Sequence, residues 1–266
     1  MEFVVEHAGC RLHVTKQGSG KALLLIHGVA CDGNYFSEAA EYLARSFMVV
    51  TYDRRGYSKS QVLEDTGYGV NEQAEDALAI LDALDCERAY VAASSAGCLI
   101  ALELARKYPE RVEKLFLHEP PLGAEESFQK EIEEWQEKLQ DAADRGKIAT
   151  ALLRFVEVLG GIDPNAPCKS LKQQAQDFDN LKVFLYKEMQ DFLSYVKRNP
   201  DNISLEMPCV LAVGEADREG LFSRAGKSAA QYLGCSFLRV PGYHNLASES
   251  PSDFAAAVAS CLTDSE

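Results

Sequence analysis

Between residues 21 and 121 the chain alternates, again and again, between continuous apolar runs and stretches with apolar residues at helical spacing. "KALLLI", "FMVVTY", "AYVAAS" and "VEKLFLH" are runs of strand length in which no side is reserved for water. Such runs suit strands buried on both faces, which is the environment of a parallel sheet covered by helices. Helical patterns lie between them, around Tyr35–Ala44, over Asn71–Leu84 (Ala74, Ala77, Leu78, Leu81, Leu84) and over "GCLIALELARK", which stops before Pro109. Strand–helix alternation of this kind calls for right-handed crossovers and an α/β fold. Ahead of it, "FVVEH" and "RLHVTKQ" read as a hairpin turning at Ala8–Gly9.

From Ala124 to Asn199 the alternation stops and the sequence is helical almost throughout. It resumes with a strand in "MPCVLAVG", a helix over Phe222–Leu233, a strand in "CSFLRVPG" and a last helix from about Ser252. The expected organisation is a core in two parts, 1–121 and 205–266, interrupted by a helical insertion over 122–204. Glu125, Glu126, Glu131, Glu133, Glu134 and Glu137 form a solvated face of the insertion's first helix. Phe128, Ile132, Trp135 and Leu139 form its buried stripe.

A net charge of −14 argues against a surface built for nucleic-acid phosphates or anionic lipid, so neither nucleic acid nor membrane is expected as a partner. No apolar run approaches the roughly 20 residues that cross a bilayer. The N-terminal "MEFVVEHAGCRLHV" shows no basic segment followed by a long apolar one. The eight cysteines are scattered, with no CxxC pair and no HExxH, so neither a disulfide framework nor a metal site is expected. The expectation is a cytoplasmic protein without metal or cofactor; oligomeric state stays open.

Four separated stretches carry chemistry, and a fifth, "TYDRRGYSKS", supports the fold without adding any. "AASSAG" places Ser94 and Ser95 at a strand-to-helix junction, where a serine either caps the helix or is held exposed as a nucleophile. "LLLIHGVAC" ends a strand in His27-Gly28-Val29, with Cys31 and Asp32 close behind. "TYDRRGYSKS" follows the next strand, "AVGEADR" a strand beyond the insertion, and "VPGYHNLASESP" the last strand. In this order, at these strand ends, they resemble the α/β-hydrolase superfamily over essentially the whole chain, in the form of a small serine hydrolase with a helical cap. The resemblance implies a mostly parallel, twisted sheet of about eight strands with helices on both faces.

It further implies a nucleophile elbow of small-x-Ser-x-small type. Centring on Ser95 sets Ala93 two before and Gly97 two after; centring on Ser94 loses the glycine. Ala93 stands where the family usually has glycine. Val29 and Ala96 are implied as the oxyanion-hole donors, with His27 structural. His244 is implied as the base and Asp217 as the acid, with Glu215 and then Glu119 of "LHEPP" as alternatives. Asp53, Arg54 and Arg55 are expected to organise loops. A cap roof is expected from Leu152, Phe155, Val156, Leu159, Phe184, Leu185, Phe192 and Tyr195, with Cys31 and Asp32 near the mouth.

The expected activity is hydrolysis of a small ester, thioester or lactone through an acyl-enzyme on Ser95. The alternatives are a perhydrolase or C–C hydrolase with the same triad, and a hydrolase-like small-molecule receptor with little turnover. Dehalogenases and epoxide hydrolases of this fold attack with aspartate, which the elbow lacks.

Overall fold

The computed structural model describes residues 1–64, 66–123, 125–158, 169–197, 204–216 and 220–263. The N-terminal hairpin forms as its alternation predicts. β1 (Glu2–His7) and β2 (Cys10–Gln17) pair antiparallel through Ala8 and Gly9, both at positive φ (42° and 69°). That conformation gives a two-residue turn a twist matching its strands.

β2 pairs antiparallel with β4 (Phe47–Tyr52), and from there the sheet is parallel: β4, β3 (Lys21–Ile26), β6 (Ala89–Ser94), β7 (Val112–His118), β8 (Cys209–Gly214), β9 (Ser236–Val240). Nine strands are seen among the described residues, where about eight were expected. The addition is β5 (Gln61–Val62), two residues annealed to β2 and too short to leave a period in the sequence.

Helices cover both faces, which explains the runs of apolar residues in the strands. α1 (Ser37–Leu43) and α10 (Pro251–Thr263) pack on one side, around Phe36, Phe116 and Phe254. α2 (Val70–Ala83), α3 (Gly97–Lys107) and α8 (Leu221–Leu233) pack on the other. α9 (Leu246–Glu249), a single turn after His244, was not anticipated. Between β7 and β8 stand α4 (Glu126–Asp144), α5 (Ile148–Val158), α6 (Leu171–Val183) and α7 (Met189–Lys197). A wider π-helical turn, Phe184–Glu188, joins the last two. The stripe of α4 is buried as its spacing predicts. Among the described residues no helix is long and apolar enough to cross a membrane, no disulfide forms, and no cluster of His, Cys, Asp and Glu could hold a metal ion.

The passage from β6 into α3 is a tight one. A Cβ on Gly97 would lie 2.4 Å from the Ile26 carbonyl oxygen and 2.7 Å from that of His27. The first turn of α3 therefore rests on the end of β3, and only glycine permits it. Gly97→Val should lower stability by about 3 kcal/mol, read as a fall in the urea midpoint. An unchanged midpoint would mean that β3 and α3 do not meet so closely.

Candidate active site

β6 ends at Ser94, and the next residue, Ser95, has φ of 53°. A non-glycine residue in this region costs about 1–3 kcal/mol and persists only where its surroundings enforce it. Here the Ser95 N–H donates to the His118 carbonyl (2.8 Å), and the Ser95 carbonyl accepts from the Cys98 N–H (2.9 Å). Ser95 is thus neither in the strand nor a helix cap, and it lines a cavity together with Val29 and Ala96. Ser94 lies 3.3 Å from the Tyr35 hydroxyl and does not line that cavity, so the two serines are separated by position.

One strand over, the same geometry recurs. Ser94 pairs with His118 in the β6–β7 register, and Glu119, next after His118, has φ of 48°. The Glu119 N–H donates to the Ala212 carbonyl (2.9 Å), and Glu119 Oε1 accepts from the Gly214 N–H (2.8 Å). Both bonds anchor the residue to the end of β8, and its other oxygen, Oε2, lies 2.6 Å from His244 Nδ1. The pair is buried, with side chains 1% and 5% exposed. Burial alone would raise the Glu119 carboxyl, but the His244 hydrogen bond and charge, the His118 ring and the Gly214 N–H together hold it below the usual range.

This geometry brings one of the two alternative acids, Glu119, to the expected base. Asp217 lies outside the described residues. Nδ1 of His244 is taken by Glu119, the alternative placed last, because β7 lies beside β6 and its left-handed terminal residue turns a carboxylate across the end of β8. His244 follows β9 on a turn through Gly242 (φ 104°) and packs 5.8 Å, ring to ring, from Phe222, which lines the Ser95 cavity. No hydrogen bond joins Ser95 Oγ to His244 among the described residues. Bonds of this type often close only once substrate is present.

The remaining expected residues divide. His27 is fully buried: Nδ1 donates to the Gly28 carbonyl (2.9 Å) and Nε2 accepts from the Arg54 N–H (3.1 Å), a tautomer fixed by these partners. Burial, then the Arg54 charge, push it well below the ordinary histidine value. Cys31 and Asp32 do not line the cavity. Burial pushes the Cys31 thiol up to about 12, and Asp32 accepts from the Asn34 N–H and the Ser58 hydroxyl. Among the described residues neither Val29 N–H nor Ala96 N–H donates to another protein group.

The three charged residues after β4 do organise loops. Asp53 accepts from the Gly33 and Lys59 N–H groups, and Arg55 forks onto Asp76. Arg54 is wholly buried against Glu188, at the end of the π-helical turn.

The cavity, of about 30 Å³, is lined by Val29, Ser95, Ala96, Leu99, Pro121 and Phe222 from the sheet side. The helical insertion adds Ile132, Trp135, Phe155, Phe184, Phe192, Leu193 and Val196. Of the expected roof, Phe155, Phe184 and Phe192 are present, Leu159 lies outside the described residues, and Leu185 is buried elsewhere. Tyr195 instead donates to Glu103 (3.2 Å). Ile132 and Trp135, expected only as packing for α4, also face the cavity, a double duty that helical spacing cannot separate.

The chain belongs to the alpha/beta hydrolase fold family, whose model matches residues 21–159. It is 29% identical over 241 residues to the "Uncharacterized hydrolase YraK" of Bacillus subtilis (strain 168), across 89% of this chain and 86% of that protein. Among solved structures, an alpha/beta hydrolase from Sphaerobacter thermophilus DSM 20745 superposes with a TM-score of 0.76 at 20% identity, covering 99% of this chain and 100% of that one. A hydrolase from Pseudomonas aeruginosa PA01 gives 0.74 at 20% identity, covering 99% and 98%.

His118 sits beneath the pair, fully buried, with no hydrogen-bond partner for either ring nitrogen among the described residues. Burial lowers it from 6.5 to about 4, against the pull of Glu119. The unfolded chain therefore binds a proton that the folded one refuses between these values. The stability His118 allows is fully present above 6.5 and is lost as pH falls toward 4. About 2 kcal/mol should disappear between pH 7 and pH 5 from this group, and His118→Leu should flatten the slope of urea-derived stability by that amount. Equal slopes in the two proteins would contradict it.

Proposed function

We propose that this protein is a serine hydrolase that transfers an acyl group from a small ester, thioester or lactone to water. The observation that carries the reading is the buried 2.6 Å contact between His244 Nδ1 and Glu119, set beside a serine on a left-handed turn in an apolar cavity. Serine attacks only when a base removes its proton, and a base works only in the right tautomer. Glu119 accepts the Nδ1 proton of His244 and leaves Nε2 as the acceptor for the Ser95 hydroxyl, the division of labour of a Ser-His-acid triad. The acid is Glu119, in place of Asp217.

Val29 and Ala96 supply N–H groups to the oxyanion. Both line the Ser95 cavity, and Ala96 stands at the N-terminal end of α3. Such donors lower the barrier by roughly 3–4 kcal/mol each. His244 then protonates the leaving group and activates the water that releases the acid. The helices between β7 and β8 act as the cap, excluding water from Ser95. No step calls on a cofactor.

The walls narrow the substrate. Among the described lining residues only Ser95 and Trp135 carry side-chain polar groups, and the Trp135 N–H is already given to the Arg154 carbonyl (3.1 Å), so a charged or hydrogen-bonding acyl group would lose hydration with little compensation. A cavity this small favours short acyl groups over long chains unless the cap moves. With p-nitrophenyl esters, kcat/KM should be highest for acetate or propionate and fall steeply by octanoate; a preference for octanoate would contradict the closed cavity as the acyl site.

The receptor reading draws on one observation, the unmade Ser95–His244 bond. A fluorophosphonate probe separates the two. Labelling of wild type and not of Ser95→Ala supports the hydrolase; no labelling of folded wild type supports the receptor. Glu119→Gln should lower kcat by roughly 10³- to 10⁴-fold while Asp217→Asn stays near wild type. The opposite pattern would return the acid to Asp217.

A further inference from the structure

Arg54 and Glu188 form a salt bridge with both side chains fully buried, one on the loop after β4 and one in the cap. Arg54 Nη1 donates to Glu188 Oε1 (2.8 Å) and to Gln73 Oε1 (2.6 Å), and Nη2 donates to Glu188 Oε2 (3.2 Å). Glu188 also accepts from the Tyr57 hydroxyl (2.6 Å) and the Gln73 amide (2.9 Å). A buried pair of this kind gives little net stability over apolar residues of the same shape, so stability alone does not account for it.

Its remaining contact is informative. Arg54 Nη2 donates to the Gly28 carbonyl (2.9 Å), which also accepts from His27 Nδ1 (2.9 Å). Gly28 and Val29 share one peptide plane, and no cis peptide occurs among the described residues. In a trans peptide the C=O and the following N–H point in opposite directions, so holding one aims the other. The guanidinium also lies 4.3 Å from the centroid of Tyr57 and 5.6 Å from that of Phe192, a wall of the Ser95 cavity.

We propose that Arg54, held in place by Glu188 of the cap, is a positioning residue that aims the Val29 N–H at the reacting carbonyl. The proposal rests on the hydrolase reading for its chemistry, though not for its geometry. Binding of the cap to the core and completion of the oxyanion hole are then one event: withdrawing Glu188 leaves the guanidinium uncompensated in an apolar site, and it releases Gly28 as it seeks water.

The test is a paired replacement, Arg54→Met with Glu188→Met, which removes both charges and keeps the volume filled. Arg54→Lys with Glu188→Gln serves if the first pair does not fold. Two readouts are taken on protein with a wild-type circular dichroism spectrum. The first is hydrogen exchange at the Val29 amide by NMR, against β3 amides as control. The second is kcat and KM on the best p-nitrophenyl ester. The proposal expects Val29 exchange faster by about tenfold with β3 unchanged. It expects kcat lower by about 100-fold, the loss of one oxyanion donor, with KM nearly constant. Recovery of kcat in the folded pair would show a merely structural role and overturn the proposal. Unchanged Val29 exchange overturns it whatever the rate. Should wild type prove inert to esters and to fluorophosphonate, the hydrolase reading fails, and the exchange result still decides the positioning role on its own.

Discussion

Two neighbouring parallel strands, β6 and β7, run into residues that L-amino acids rarely tolerate, Ser95 at φ 53° and Glu119 at φ 48°. Everything at the site depends on that pair of reversals. Left-handed backbone at a strand end throws the side chain up and out of the sheet edge instead of into one of its faces. Each reversal costs about 1–3 kcal/mol, and the surrounding bonds hold it. Ser95 leans on the His118 carbonyl, and Glu119 is tied to Ala212 and Gly214 at the end of β8. Gly97 lets α3 start hard against β3, which sets the serine on its turn. Strain at one strand end is thus enforced by hydrogen bonds from the next.

The strands and long helices were legible because burial on both faces, or on one helical stripe, leaves a period in the sequence. β3, β6 and β7 appear as apolar runs, and α4 as the Phe128–Ile132–Trp135–Leu139 stripe. The short elements were not: β5 and α9 hold too few residues to repeat anything. The choice among the three candidate acids was open in the sequence for a different reason. β7 and β8 are adjacent, and both are followed by carboxylates, so the order of residues along the chain is the same for either partner. The left-handed φ that turns Glu119 toward His244 is a single backbone dihedral, which strand-length patterns do not encode.

Arg54 shows the same limit from another side. Its neighbours marked it as a loop organiser, and it is one, but its partner Glu188 stands 134 residues away in a helix where a glutamate ordinarily faces water. Only the folded chain brings the charge of the insertion to the loop after β4. The result is a site whose parts come from the whole molecule: a serine from one strand end, a carboxylate from the next, an imidazole from beyond the last strand, and a roof and a buried carboxylate from the insertion.

The central claim is that Glu119 holds the Nδ1 proton of His244. Proton NMR reads that bond directly, since a proton shared between imidazole and a buried carboxylate resonates far downfield of ordinary amides. The account predicts such a resonance in wild type, its persistence in Asp217→Asn, and its loss in Glu119→Gln. A downfield signal that survives the change at Glu119 and vanishes with the change at Asp217 would contradict it.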